Sequence, residues 1–354
     1  MPYLEPHQYP IAQPLFERLG QFHLCSQAVL SGMHPGKVWV DDSDHPRVGL
    51  LTGPEGTYLA GDPDLPESFA ELREIFPYHA NLLVDPLDWE PVLDQVWKSR
   101  AVRRHYRQHY VFRQAQAPAW RDQLPEGFRA VRVDADFLKR THLENFGQVE
   151  GWMEDWHSPE YFFEHGSGVC MVCGETIASW SLMDGAVGDR CEIGIMTDPK
   201  FRRRGLARLA VSALLEDCLA RGYRQIGWHC LRSNAGSIAT ACRVGFVKER
   251  DYVAFSHWLP AENPGDMPAE EYVDWAEHNE RAGQSEVWWY FQAAQAWAVA
   301  GTPQRALENL RRVIEGGWKA RPEWVHHNWR LDSIRAMPEF QELIVDLVLT
   351  EENV

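Results

Sequence analysis

The chain has 354 residues, enough for two or three domains with separate hydrophobic cores. Apolar residues make up 45% and charged residues 24%, a balance typical of a folded globular protein. The 51 acidic residues outnumber the 35 basic ones, and the formal charge of −16 argues against nucleic-acid binding. The absence of long apolar runs argues against a membrane span, and the first residues show no secretory signal. Seven cysteines, an odd number, predict reduced thiols and a cytoplasmic location.

The first zone of the chain, residues 1–120, is predicted to be a smaller α+β domain. Apolar positions near helical spacing predict a helix over 14–30. Short extended runs bounded by turn residues predict strands at 37–41, 47–52 and 57–60. No catalytic motif is visible here, so the sequence assigns this zone no role.

The second zone, residues 121–260, has the pattern of alternating strands and helices. Ser158-Pro159-Glu160 predicts a helix start, since serine caps the free amides and proline suits the first turn. Three strands separated by short turns predict an antiparallel meander, at 168–173, 176–184 and 191–197.

The third zone, residues 261–354, is predicted to be all-helical and begins after a linker rich in Pro and Gly. Apolar spacing on both sides of the turn at Gly301 resembles a single tetratricopeptide-type helical hairpin. We expect a helical packing or docking module, which makes a protein partner one candidate role.

A strand, a basic glycine-containing loop and a helix follow one another in residues 192–222. Three arginines at 202–204 precede Gly205, and the apolar stripe of the helix begins at Leu206. The first backbone N–H groups of a helix lack internal partners and carry the positive end of the dipole. This arrangement predicts a site for a pyrophosphate.

Two later features follow in order: Asn234 after a strand predicted at 225–231, then Gly245-Phe246 at the end of the next helix. With the Arg-x-x-Gly-x-Ala loop, they make residues 128–258 resemble the GNAT superfamily of acyl-CoA N-acyltransferases. The resemblance implies an α/β (α+β) fold with a mixed, mostly antiparallel sheet flanked by helices. It also implies acetyl-CoA, a coenzyme A thioester, as cosubstrate.

A closer resemblance, to zwittermicin-A-resistance-type acetyltransferases, rests on Glu192-Ile193-Gly194-Ile195 with Thr197, and on Trp228-His229-Cys230. In that branch the N-terminal zone belongs to the family as well.

The resemblance also implies roles for individual residues of the cofactor cleft. Main-chain groups of the strand would bind the pantetheine arm and polarise the thioester carbonyl, and loop amides would hold the pyrophosphate. The implied cofactor residues are Ile195, Met196, Thr197, Arg202, Arg203, Arg204, Gly205, Leu206, Ala207, Arg208 and Asn234.

One position departs from the superfamily pattern. The usual general acid is a tyrosine seven residues after the asparagine, and Ala241 stands there. A departing thiolate needs only modest help, since a free thiol has a pKa near 8.5. Ser237 or a water could supply the proton.

Two side chains are candidates for the general base that deprotonates an attacking amine. Glu192 is the first, because it lies on the strand nearest the acetyl group, and His229 is the second. Each also has a purely structural alternative: Glu192 could pair with Arg190, and His229 could be a core histidine.

An aromatic and acidic patch precedes the helix predicted at Ser158. Glu150, Trp152 and Asp155 are candidate substrate-binding residues, because carboxylates and indole faces attract a cation. The alternative is a solvated loop anchored by tryptophans. Cys170 and Cys173 fall on opposite strand faces and no second pair has zinc-ligand spacing, so no metal is predicted.

Together these features predict direct transfer of an acetyl group from acetyl-CoA to an amine of a small acceptor, cationic and antibiotic-like in character. Two alternatives stay open. One is a catalytically weak CoA-sensing or docking factor, and the other is an acetyltransferase acting on a protein amine recruited by the helical zone.

Overall fold

The computed structural model describes residues 1–77, 80–98, 102–320, 322–326 and 328–348. The chain forms two compact units. The first comprises Met1–Lys98, Arg104–Arg232 and Gly236–Phe255, and the second consists mainly of the residues from Ser256 onward. Among the described residues, no helix has both the length and the apolar character needed to cross a membrane.

Twelve strands form one mixed sheet. They are β1 Tyr3–Leu4, β2 Lys37–Val40, β3 Val48–Gly53, β4 Gly56–Gly61, β5 Leu82–Asp85, β6 Arg103–Phe112, β7 Phe128–Arg132, β8 Gly168–Cys173, β9 Thr176–Val187, β10 Arg190–Thr197, β11 Gln225–Leu231 and β12 Val247–Ser256.

The strand order is β1-β2-β3-β4-β5-β12-β6-β11-β10-β9-β8-β7. The pairs β4–β5 and β10–β11 are parallel, whereas the meander β8–β9–β10 is antiparallel, as the sequence predicts. The N-terminal strands continue the sheet of the second zone through β5 and β12. The domain boundaries near residues 120 and 260 stay predictions.

Fourteen α-helices lie in the described residues. They are α1 Gln13–Gly20, α2 Leu24–Leu30, α3 Phe69–Ile75, α4 Leu93–Val96, α5 Phe146–Met153, α6 Pro159–His165, α7 Leu206–Ala220, α8 Ala235–Val244, α9 Ala269–Gly283, α10 Trp288–Val299, α11 Pro303–Glu315, α12 Pro322–His326, α13 Asp332–Arg335 and α14 Pro338–Leu347. Short 3-10 helices occupy Pro6–Ile11, Pro66–Ser68, Leu87–Val92, Arg121–Gln123, Phe137–Lys139, Pro199–Phe201 and Trp329–Leu331.

The single helix predicted over 14–30 is two helices, so that prediction was wrong. The chain leaves helical geometry at His23, which has φ −115° and ψ 97°. The break leaves the amide of Leu24 without an intrahelical acceptor, and this amide donates to the Glu192 carboxylate over 2.7 Å. A long-range hydrogen bond to a buried carboxylate therefore outweighs the local helical pattern.

Helix α7 fixes the position of the central strands. Its apolar stripe, which includes Leu209 and Leu214, packs on the sheet with Trp180 of β9 and Ile193 of β10, all at most 2% exposed. Burying each such side chain stabilises the fold by about 1.5–3 kcal/mol. This packing holds β10 rigid where the candidate site lies.

Candidate functional site

The parallel strands β10 and β11 pair over only three residues. Arg190, Cys191 and Glu192 of β10 face Gln225, Ile226 and Gly227 of β11. On its other side β10 stays paired with β9 as far as Thr197, with a bulge between Glu192 and Ile193. From Ile193 onward the β10 edge facing β11 is therefore released from the sheet, and it can hydrogen-bond a ligand.

Three of the predicted cofactor residues, Ile195, Met196 and Thr197, lie on this released segment. The segment is fixed from the β9 side, because Ser179 Oγ donates to the Met196 carbonyl over 2.9 Å and Ser181 Oγ donates to the Gly194 carbonyl over 2.7 Å. Held in this way, the released edge presents a row of main-chain N–H and C=O groups in fixed positions.

The loop that follows turns twice through left-handed backbone geometry. Arg203 has φ +65° and Gly205 has φ +80°. Helix α7 begins at Leu206, so the amides of the loop and of the first helical turn lack intrahelical acceptors. Residues 202–205 are exposed, and beyond the adjoining backbone no atom of the described residues lies within 4 Å of a Cβ added at Gly205. Residues 202–208, the loop and the first turn of α7, form a cradle that is open, positively polarised and suited to a diphosphate.

Glu192 is the last residue of β10 that pairs with β11, and its carboxylate is buried, with 5% of the residue exposed. Its Oε1 accepts hydrogen bonds from the Leu24 amide at 2.7 Å and from His229 Nε2 at 3.1 Å. Arg190 does not pair with it and donates instead to the carbonyls of Gly20 and Gln21. The structural alternative in which Glu192 pairs with Arg190 is wrong.

The direction of these hydrogen bonds follows from the Glu192 carboxylate, which can only accept. His229 therefore carries its proton on Nε2 and donates it to Glu192, so the neutral ring accepts at Nδ1 from the Tyr252 hydroxyl over 3.0 Å. Arg107 Nε in turn donates to Tyr252 Oη over 2.9 Å. Hydrogen-bond donation therefore runs from the Arg107 guanidinium through Tyr252 and His229 to the Glu192 carboxylate.

His229 is also the centre of a stack of three buried imidazoles. Its ring lies 4.6 Å from that of His23 and 4.5 Å from that of His109. Burial, followed by the charge of Arg107, lowers the pKa of His229 to about 3. Burial, followed by the neighbouring His229, lowers that of His109 to about 4. All these rings are neutral at pH 7.

His109, His229 and Glu192 each offer a ligand atom within 4.8 Å of the others, which raises the question of a metal. The two ring planes are stacked at 13°, so their lone pairs run side by side rather than converging on one ion. The Nε2 of His229 is also used as a donor. The geometry suits a hydrogen-bonded stack better than a metal centre.

A cavity of about 40 Å³ opens beside this group, and its walls include Glu192, His109, Glu249 and Arg113. It is large enough for water. Glu192 therefore has contact with a polar, water-sized space in addition to its fixed donors.

A family model described as GNAT acetyltransferase matches residues 13–255. The chain belongs to the GNAT acetyltransferase family. The match begins in α1, so strands β2 to β5 of the N-terminal zone lie within the matched region as well. Proteins of this family use acetyl-CoA as cosubstrate. No curated protein matches the chain.

Two solved structures are similar to the chain, and the first of them shares its fold. A GCN5-related N-acetyltransferase-like protein from Streptococcus suis is 20% identical, with a TM-score of 0.56 over 71% of this chain and 98% of its own. A GCN5-related N-acetyltransferase from Sphaerobacter thermophilus is 13% identical, with a TM-score of 0.46 over 74% of this chain and 98% of its own.

The remaining GNAT motif residues lie on and around α8. Ser237 Oγ accepts a hydrogen bond from Trp228 Nε1 over 2.9 Å. Ala241 is fully buried on the same helix. Asn234 belongs to the second compact unit, where its side-chain amide pairs with the Glu262 carboxylate.

The three residues predicted to bind the acceptor differ in their exposure. Glu150 is exposed, whereas Trp152 and Asp155 are half-buried. Trp152 covers the backbone of Gly194 and donates from Nε1 to Asp184 Oδ1 over 2.6 Å. Burial, followed by the charge of Glu154, raises the pKa of Asp155 to about 6.

Sequence reasoning missed His23, His109, Tyr252, Glu55 and Asp184. His109 lies on β6, which pairs with β11, and Tyr252 lies on β12, the neighbour of β6 on its other side; this strand order is visible only in the folded sheet. A sequence signal existed for one feature: Gly185 and Gly227 both face Glu192 across the sheet and leave room for side chains around it.

Proposed function

We propose that this protein transfers an acetyl group from acetyl-CoA directly to an amine of a small cationic acceptor, with Glu192 as the general base. The observation that carries the proposal is the position of Glu192, at the residue where β10 and β11 stop pairing. Both hydrogen-bond donors meet its Oε1, so the proposal assigns Oε2 to the acceptor amine.

The released edge of β10 and the loop amides at residues 203–208 would hold the cosubstrate. When bound, acetyl-CoA supplies the thioester from which the acetyl group is transferred. Loop arginines 202–204 are exposed and add positive charge at the diphosphate. Amides near Met196 and Thr197 would stabilise charge developing on the carbonyl oxygen.

An amine protonated at neutral pH must lose a proton before it can attack a carbonyl carbon. In the proposed reaction Glu192 accepts that proton, and the water-sized cavity beside it provides a route to solvent. Leu24 and His229 hold the carboxylate in place throughout. Since Ala241 replaces the usual acid, Ser237 or water is proposed to return a proton to the departing thiolate.

The finer assignments are proposed on narrower grounds. The zwittermicin-A-resistance-type branch rests on the β10 and β11 motifs, and a cytoplasmic location on seven free cysteines. The tetratricopeptide-like assignment is supported by α10 and α11, which join through Gly301 at φ +76°. A docked protein partner for this helical region is part of that proposal.

The experiment compares Glu192→Gln with the wild type, using thiol release from acetyl-CoA and a panel of small amines. Glutamine keeps an acceptor oxygen for Leu24 and His229 but cannot take up a proton. We expect kcat to fall about 10²–10⁴-fold at pH 7 with the affinity for CoA unchanged.

Glu175→Gln, at the exposed β8–β9 turn, is the matched control and should retain full activity. Unchanged turnover in Glu192→Gln would remove this residue from the mechanism. Tight CoA binding by the wild type without turnover on any amine would favour the CoA-sensing alternative.

A further inference from the structure

A second group of acids lies on the Glu192 face of the sheet. At the bulge, Glu192 and Ile193 of β10 oppose Gly185 and Met183 of β9, so Asp184 is the extra residue between them. Its carboxylate accepts from Trp152, whose ring covers the backbone of β10 just beyond Glu192. Asp184 is therefore held in place next to Gly185, the β9 residue that pairs with the proposed base, Glu192.

The N-terminal zone adds Glu55, in the two-residue turn between β3 and β4. A Cβ added at Gly53, at the start of this turn, would meet Cys25 Sγ at 2.9 Å. Cys25 follows Leu24, whose amide binds Glu192. These contacts place the turn near Leu24 and Glu192. The charge of Glu55 accordingly interacts with those of Asp155, Asp184 and Glu192.

His34 is an independent sign of a missing partner. The residue is 3% exposed, and its Nδ1 lies 3.0 Å from the carbonyl of Asp155, to which it must donate. Its Nε2 is consequently an acceptor, and it has no hydrogen-bond partner among the residues that the structure describes. This nitrogen lies 3.3 Å from a Cβ position at Gly185, beside Asp184 and on the Glu192 face. It points into the acidic group.

Once ionised, the carboxylates of this group offer only acceptors, as does His34 Nε2. An ammonium group brings three donors and a positive charge, so it complements such a surface better than an uncharged hydroxyl with one donor or an anion. Arg107 acts on Glu55 electrostatically, but its Nε is engaged with Tyr252. The group therefore has the chemistry of a cation site.

We infer that Glu55, Asp155, Asp184 and His34 bind a second ammonium group of the acceptor, so that the substrate is a small molecule with two or more amino groups. This inference rests on the proposed function: one amine lies at Glu192 for acetylation and the other is held by the acidic group. The N-terminal zone then has a role, since it supplies Glu55 and His34.

The protonation of the acids agrees with this inference. Burial, followed by the charges of Asp155 and Glu192, raises the pKa of Glu55 to about 7, and burial raises that of Asp184 as well. Carboxylates that retain protons near neutral pH should release them when a cation binds. Diamine binding should therefore release protons and become tighter from pH 6 to pH 8.

The test measures kcat/KM of the full chain, with saturating acetyl-CoA, for linear diamines of three to six carbons. Each diamine is compared with the amino alcohol of equal length, in which a hydroxyl replaces the second amine. We expect the wild type to prefer at least one diamine about ten- to a hundredfold, the effect of one charged hydrogen-bonded contact.

Glu55→Gln and Asp184→Asn should each reduce that preference to about threefold or less, while Glu17→Gln, on the exposed face of α1, keeps it. Equal CoA affinity in all four proteins would show that the variants are folded. A wild type without preference for any diamine, or Glu55→Gln and Asp184→Asn variants that both keep it, would overturn the inference.

Calorimetry with CoA-loaded protein separates this inference from the proposed function. Diamine binding with proton release that is lost in Glu55→Gln, but without acetylation, would support the cation site and refute the enzyme. Acetylation without discrimination between diamine and amino alcohol would do the reverse.

Discussion

Replacing Glu55 by glutamine should stabilise the folded protein, and the gain should depend on pH. Glutamine has nearly the same shape as glutamate but carries no charge. In the wild type the folded state keeps the Glu55 carboxyl half-buried near other acids, whereas the unfolded chain exposes it to water. Removing the charge should remove the penalty for ionising it in the folded state.

The magnitude follows from the pKa of Glu55, which burial and neighbouring carboxylates raise from 4.5 to about 7. A folded-state pKa above the unfolded value means that stability is lost as pH rises from 4.5 through 7. At ~1.4 kcal/mol per pKa unit, the loss is about 1 kcal/mol at pH 5 and about 3 kcal/mol at pH 8. Glu55→Gln should therefore gain about 2 kcal/mol more at pH 8 than at pH 5.

The assay is urea denaturation of wild type, Glu55→Gln and Glu17→Gln at the two pH values, with fitted free energies of unfolding. Glu17 is exposed on α1 and should show no such pH dependence. If Glu55→Gln changed the free energy equally at pH 5 and pH 8, the carboxyl would not have the environment that the structure gives it.

Two further predictions concern the loop and the imidazole stack. Gly205→Val should weaken CoA binding at least about tenfold in calorimetry, because φ +80° at the helix start is unfavourable for valine. Gly188→Val, at φ +60° in a turn between β9 and β10, carries similar strain and should bind CoA normally; equal weakening would refute the cradle. His109→Phe should lose about 2 kcal/mol less stability than the wild type between pH 7 and pH 5. The reason is that the lowered pKa of His109, about 4, lets the unfolded chain take up this proton first, whereas His23 and His229 still contribute in both proteins. An exposed control, His142→Phe, should lose stability like the wild type, and a similar loss in His109→Phe would contradict the assignment.

Local pattern was sufficient for the strand–loop–helix unit at the centre of the protein. Alternation predicted β10, the turn residues predicted the meander, and the apolar stripe predicted α7 from Leu206. These features depend on neighbours in the chain, so the sequence expresses them directly. The family followed from the same unit and is confirmed by the match over residues 13–255.

The environment of Glu192 could not be predicted in this way. Its partners Leu24 and His229 are 168 and 37 residues away, and the histidine stack joins three separate elements. No periodicity indicates such contacts, because they depend on strand order and register.

The sequence by itself determined the strand, loop and helix start that we propose bind acyl-CoA, since backbone amides at a helix start need only a local pattern. Only the tertiary structure decided what surrounds the proposed base. The break at His23 and the turn at Glu55 look like ordinary local features of a helix and a hairpin. Their chemical role depends on the continuous sheet, which brings both segments close to β10. There, burial and neighbouring negative charges raise the pKa of the Glu55 carboxyl.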